Sequence, residues 1–262
     1  MQTPTKKEKL VIGFLKSWDG FGIKCMKTQL STMFDLYRNF IHLFMIIKEE
    51  YKMEIQQLNK IGNLLGGTGH ASLRPSAITA LDNAEASIQE LFDVLGEDAK
   101  RDGLQETPFR FIKALVEHTV GYREDPKLHL EKTFDVDHED LVLVKDIPFN
   151  SLCEHHLAPF VGKVHIAYIP KDKITGLSKF GRVVEGYAKR LQVQERLTQQ
   201  IADAIQKVLN PQAVAVIVEA EHTCMSGRGI KKHGATTVTS TMRGLFQNDA
   251  AARAELLQLI KK

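Results

Sequence analysis

AVAVIVEA, residues 213–220, is the stretch on which the fold turns. It is short, apolar and rich in β-branched residues. It follows the Asn210-Pro211 pair that stops a helix, so it reads as a strand. Residues 141–147, 163–169 and 236–242 have the same character. Between the second and third of these runs lie two helical stretches. Leu177, Phe180, Val183, Val184, Tyr187 and Leu191 mark one, and Leu197, Ile201, Ala204, Ile205 and Val208 mark the other. The order strand, strand, helix, helix, strand, strand predicts an α+β domain, an antiparallel sheet with two helices on one face. Four strands leave two open edges, which proteins pair or cover, so the edges are expected to pair between subunits.

Upstream, the period is helical. Ser76 reads as an N-cap, and Ile78, Leu81, Ala84, Ile88, Phe92 and Leu95 recur at helical spacing before Gly96. Thr107 reads as the N-cap of a second helix with Pro108 at its first position, ending at Gly121. A last helix is expected over residues 249–260. Residues 61–75 are Gly-rich and read as a linker, and Gly66-Gly67-x-Gly69 lacks the Lys-Ser/Thr of a phosphate loop. Residues 1–60 hold five of the seven methionines and no functional constellation. The expected organisation is therefore an N-terminal, non-catalytic extension and linker over 1–75, a helical hairpin region over 76–130 and a catalytic domain over 131–262. Translation from an internal methionine such as Met53 is a further expectation, which intact mass would test.

The chain has 262 residues, 43% hydrophobic and 26% charged, as in globular proteins. Its net charge of +3 and the lack of an aromatic-basic stripe argue against nucleic acid. No run approaches the roughly 18 apolar residues of a membrane span. Lys16 breaks the N-terminal apolar run and no cleavage site follows, which argues against a signal peptide. Three cysteines form no disulfide framework and suit a reducing, cytoplasmic compartment.

Two of those cysteines carry the chemistry. Cys153-Glu154-His155-His156 contains a C-x-x-H pair, a spacing that lets one tight turn aim a thiolate and an imidazole at a point. Glu221-His222-Thr223-Cys224 supplies a third ligand. Cys153, His156 and Cys224 suit Zn²⁺ in a catalytic arrangement, three protein ligands and one open position for water. A lone cysteine would read as a small buried hydrophobe, but two His/Cys pairs in one chain point to metal. His155 reads as a general acid/base or as a group that orients a ligand. Strand alternation puts His222 on the same side as Cys224. His165, inside a strand, reads as structural.

Glu195, opening the second helix beside Gln194, reads either as a helix-dipole partner or as an acceptor for the N1–H and 2-amino edge of guanine. Ser178, Lys179 and Arg182 start the preceding helix, and Arg228 sits between two glycines after Cys224. Singly these are solvated charges; together they read as an anion cradle, with backbone N–H groups at the helix start adding donors.

Six pieces then converge: CEHH (153–156), GKVHIAYIPK (162–171), GLSKFGRVVE (176–185), QVQERLTQQIADAI (192–205), EAEHTCMSGRGI (219–230) and TTVTSTMRGLF (236–246), with ETPFR (106–110) upstream. The chain over about residues 76–262 resembles GTP cyclohydrolase I. The resemblance implies a tunnelling (T-fold) α+β domain in a homodecamer of two pentamers, with active sites between subunits. It implies conversion of GTP and water to 7,8-dihydroneopterin triphosphate and formate, the first step toward tetrahydrofolate and pterins. Carried over by motif, Cys153, His156 and Cys224 hold Zn²⁺, and water activated there attacks guanine C8. His155 and His222 transfer protons, and Gln194 and Glu195 hold the guanine edge. Ser178, Lys179, Arg182, Arg228 and, more weakly, Arg110 bind ribose and triphosphate. The rival reading is a non-catalytic, zinc-containing nucleotide binder of the same fold. His155→Ala separates the two, since zinc kept with turnover lost marks the enzyme.

Overall fold

The computed structural model describes residues 75–261. The expectations for residues 1–60, for most of the linker and for a start at Met53 lie outside them.

Helix α1 (Pro75–Val94) begins one residue before the expected cap, so Ser76 lies in its first turn. It ends as the sequence suggests. Gly96 takes φ +78°, Gly96 N donates to Asp93 O and Glu97 N to Phe92 O, the paired closure that satisfies the last carbonyls. Helix α2 (Thr107–His118) has Glu106, not Thr107, at its N-cap. The Thr107 hydroxyl donates back to Gly103 O at 3.2 Å instead. The helix stops at His118, before Gly121, and the hydroxyl of its C-cap Thr119 folds back onto Leu115 O at 2.8 Å. Two 3₁₀ turns, Val120–Arg123 and Pro126–Leu130, lead into the sheet.

The main sheet has five strands, not four, in the order β5-β2-β3-β6-β7. They are β2 (Val142–Cys153), β3 (Pro159–Ile169), β5 (Leu191–Gln192), β6 (Ala213–His222) and β7 (Thr236–Gly244). A small pair, β1 (Thr133–Asp135) and β4 (Lys173–Thr175), stands apart. The four long strands pair antiparallel as expected. Two-residue β5 adds a parallel step, with Cys153 opposite Gln192. No period can show in two residues, so this strand exists only through its partner.

β2 carries a register shift between Val144 and Ile147, where Asp146 takes φ +59°. His165, only 5% exposed, accepts a hydrogen bond from Asp146 N at Nδ1, 3.2 Å, which confirms its structural reading. The bulge is thereby pinned to β3.

Helices α3 (Ser178–Ala188) and α4 (Gln194–Leu209) cover one face. Alternation sends Val164, Ile166 and Tyr168 of β3 and Val214, Val216 and Val218 of β6 toward them. There they meet Phe180, Val183 and Val184 of α3 and Leu197, Ile201 and Ile205 of α4, all essentially sealed from solvent. Each such side chain contributes about 1.5–3 kcal/mol by burial. Asn210 closes α4 in the left-handed conformation, φ 45°. The other face is covered in part by short α6 (Leu245–Asn248) and α7 (Ala250–Lys261), whose Phe246 and Leu256 pack on Ala167, Ala213 and Ala215. Asp249 caps α7, its Oδ1 accepting from Ala251 N at 2.7 Å. Among the described residues no helix is long and apolar enough to cross a membrane.

Candidate active site

The turn joining β2 to β3 is closed by its own backbone. Cys153 N donates to Ala158 O at 2.9 Å, and Cys153 O accepts from His156 N at 3.3 Å and Leu157 N at 2.8 Å. Leu157 completes the reversal at φ +52°, a conformation that costs a branched side chain energy and is concentrated at functional turns. This backbone brings His156 Nδ1 to 3.9 Å from Cys153 Sγ. A second tie holds the turn from outside. Glu154 N donates to Gln192 O at 3.0 Å, and Arg196 of α4 grips the Glu154 carboxylate while its Nε donates to Gln192 Oε1 at 3.1 Å.

Cys224 arrives from the end of β6, but not on a strand. β6 stops at His222, and Cys224 lies on a single helical turn, α5 (Thr223–Ser226). Strand alternation therefore does not relate Cys224 to His222, and that part of the sequence argument is corrected. The outcome still converges: the ligand atoms of Cys153, His156 and Cys224 all lie within 4.8 Å of one another. Ligands about 2.0–2.3 Å from a shared tetrahedral Zn²⁺ lie roughly 3.5–3.8 Å apart, so the set fits with small adjustment. Burial, and next the neighbouring Cys153 sulfur, push the Cys224 thiol up. A divalent cation held there would favour the thiolate form of Cys224.

His155, from the same turn, sits beside the trio with Nδ1 3.8 Å from Cys153 Sγ and its side chain 64% exposed. His222 sits inward. Its ring stacks on Phe160 with centroids 4.6 Å apart and planes 3° apart, and its Nε2 lies 2.8 Å from Gln194 Oε1. Burial lowers its pKa. Gln194 itself is 1% exposed, and its Nε2 donates to Val218 O, Thr237 O and Thr239 Oγ1 at 3.0–3.2 Å. A carboxamide so buried, with its NH₂ engaged, is poorly placed to meet a guanine edge. Glu195, next in the chain, is exposed at the start of α4.

Ser178, Lys179 and Arg182 lie on the first turns of α3, and Arg228 lies on the turn after α5. Among the described residues Lys179, Arg182 and Arg228 form no ion pair or side-chain hydrogen bond, so their charges are uncommitted. The backbone donors expected at the α3 start are partly taken: Lys179 N donates to Gly176 O at 2.8 Å and Phe180 N to Leu177 O at 3.2 Å. Arg110 is held by Glu106 at 2.5 Å, which weakens its reading as a phosphate contact.

Residues 84–261 match the family model for GTP cyclohydrolase I. The chain belongs to the GTP cyclohydrolase I family. Relatives named GTP cyclohydrolase 1 agree along this region. The one from Desulforamulus reducens is 54% identical over 183 residues, 70% of this chain and 98% of its own length. That from Bacillus pumilus is 56% identical over 178 residues, covering 68% and 94%, and that from Bacillus subtilis is 53% identical over 182 residues, covering 69% and 96%. A solved archaeosine synthase QueF-Like in the apo form aligns at TM-score 0.34 and 21% identity over 40% of this chain and 93% of its own, too loose a likeness to inform the fold. Membership of the family agrees with the α+β fold and with the converging Cys/His/Cys donors. Sequence reasoning named those donors but missed Phe160, Thr198 and Thr239. Stacking and saturation by distant residues leave no local signature.

Proposed function

We propose that the chain is a zinc-dependent GTP cyclohydrolase I that converts GTP and water to 7,8-dihydroneopterin triphosphate and formate. The observation that carries this is the convergence of three donors, Cys153, His156 and Cys224, with His155 beside them. Among the described residues three donors converge, not four, which suits a catalytic rather than a closed structural site. Bound Zn²⁺ supplies Lewis acidity and a nucleophile from water near neutral pH.

The remaining chemistry belongs to the side chains. His155, exposed at the rim, delivers and takes protons as the guanine imidazole ring opens at C8 and formate leaves. His222, sheltered against Phe160, acts from the buried side. The Glu195 carboxylate accepts from the N1–H and 2-amino group of guanine, which selects this base. Lys179, Arg182 and Arg228, without ion pairs among the described residues, bind the triphosphate with Ser178. Assembly is a homodecamer of two pentamers with the sites between subunits, supported by the unpaired outer edge of β7.

The test is a GTP turnover assay on purified protein with metal content measured on the same sample. Formation of a pterin and formate, abolished together with zinc by Cys153→Ser, is the expected result. Zinc and GTP bound without either product would overturn the catalytic reading in favour of nucleotide binding alone.

A further inference from the structure

Gln194 links three elements. Its backbone opens α4, its carboxamide reaches β6 and β7, and its oxygen meets His222. The direction of every hydrogen bond in this cluster follows from one fact: backbone carbonyls only accept. Val218 O and Thr237 O both lie 3.0 Å from one end of the carboxamide, so that end is the NH₂ group. A flipped amide would set its oxygen against two carbonyl oxygens. The other end, Oε1, is an acceptor only, and His222 Nε2 lies 2.8 Å from it. That nitrogen must therefore carry a proton.

The hydroxyls fall into line. Thr198 donates to Gln194 O at 2.7 Å, which uses its one proton. The 2.6 Å contact between Thr198 Oγ1 and Thr239 Oγ1 then runs from Thr239 to Thr198, leaving Thr239 to accept from Gln194 Nε2. No member is free to reverse. Thr198 and Gln194 are both sealed from solvent, so water does not relax the constraint. Phe160, stacked within 3° of the imidazole, fixes the ring plane, while the 2.8 Å contact fixes which edge points inward. His222 Nδ1 has no partner among the described residues and is not sealed from solvent.

We propose that Gln194 is a positioning residue: locked by Val218 O, Thr237 O and Thr239, it holds the Nε2–H edge of His222 against its Oε1 and so sets the orientation of that ring. Gln194 acts through His222 and does not touch the substrate. The proposal rests on the reading of His222 as a proton-transfer residue, and it adds what fixes the ring edge that faces Gln194.

The experiment reads the Nε2 proton directly. Protein labelled with ¹⁵N-histidine is examined by NMR, with His222 signals assigned by their loss in His222→Gln. Wild type is expected to show a protonated Nε2, hydrogen-bonded to the Gln194 carboxamide. Gln194→Leu removes the acceptor. It is expected to remove the hydrogen-bonded Nε2–H signal and to lower kcat about 10–100-fold, the usual effect of losing an outer-shell partner, with little change in KM. Thr239→Val removes one of three acceptors, so the Nε2–H signal should persist and kcat fall less. A bare Nε2 in wild type overturns the proposal without any variant. So does Gln194→Leu with wild-type Nε2–H signal and kcat, or with raised KM at unchanged kcat, which would make Gln194 a substrate contact. His222→Ala with full kcat would instead end the proton-transfer role of His222, and the measured hydrogen bond would stand or fall by itself.

Discussion

Cys153 and Cys224 come from segments far apart in sequence, yet each supplies a sulfur to one point within 4.8 Å of the other and of His156. Replacing either with Ser exchanges a soft thiolate for a poor ligand. We expect loss of bound zinc and a fall in kcat of more than about 100-fold, beyond the effect of losing an outer partner. Metal analysis and turnover on the same sample check it. At His118, burial first and nearby Lys189 second hold the pKa below its ordinary 6.5, against weaker opposition from Glu117 and Glu185. Its Nδ1 is buried without a partner among the described residues, so protonation brings no compensating bond there. The native state thus binds fewer protons than the unfolded chain in the window below 6.5. Stability should fall as pH drops through that window and be unaffected by this group above it. Denaturant midpoints measured across the window should show a shallower slope in His118→Gln than in wild type.

At the scale of elements, the site depends on how closely β3, β6 and α4 approach. Gly162 of β3 lies beside β6, where an added Cβ would stand 1.9 Å from Glu219 O and 2.7 Å from Ala220 Cα. Neither atom can yield without moving the strand that carries His222. Gly162→Ala should cost about 3 kcal/mol or more, the upper end for overpacking, and chemical denaturation will show it. Arg196 is the corresponding tie from α4, gripping Glu154 within the metal turn and donating to Leu191 O at 3.0 Å. The exposed ion pair adds little stability, but the bonds to Leu191 O and Gln192 Oε1 are lost as well, so Arg196→Met should lower stability by about 1–2 kcal/mol. It should weaken zinc about tenfold or more by loosening Cys153 and His156, as competition with a chelator will measure.

For the whole molecule, the sheet order among the described residues leaves β7 with an unpaired outer edge and β2 covered by only two residues of β5. Val238 of β7 is 60% exposed and Val161 of β3 47%. Unprotected edges and apolar positions of this kind are expected to close against other copies. Analytical ultracentrifugation should give a mass near ten times the 29.5 kDa chain. A mass of one chain would remove the support for sites shared between subunits.

The sequence by itself determined the antiparallel α+β arrangement, the helix stops at Gly96 and Asn210, the residues of the converging Cys/His/Cys trio and the family. These rest on local periods, caps and residue types that neighbouring positions reveal. The tertiary structure alone decided that β5 exists as a strand, that Cys224 sits on a helical turn rather than a strand, and that Thr107 lies inside its helix. It also turned Gln194 away from the solvent. In sequence, Gln194 beside Glu195 reads as one recognition pair, because adjacency is all that sequence shows. In the fold, the carboxamide is saturated by groups 24 to 45 residues away, on β6 and β7. A buried polar group goes where its donors and acceptors can all be met, and that condition is set by segments far along the chain.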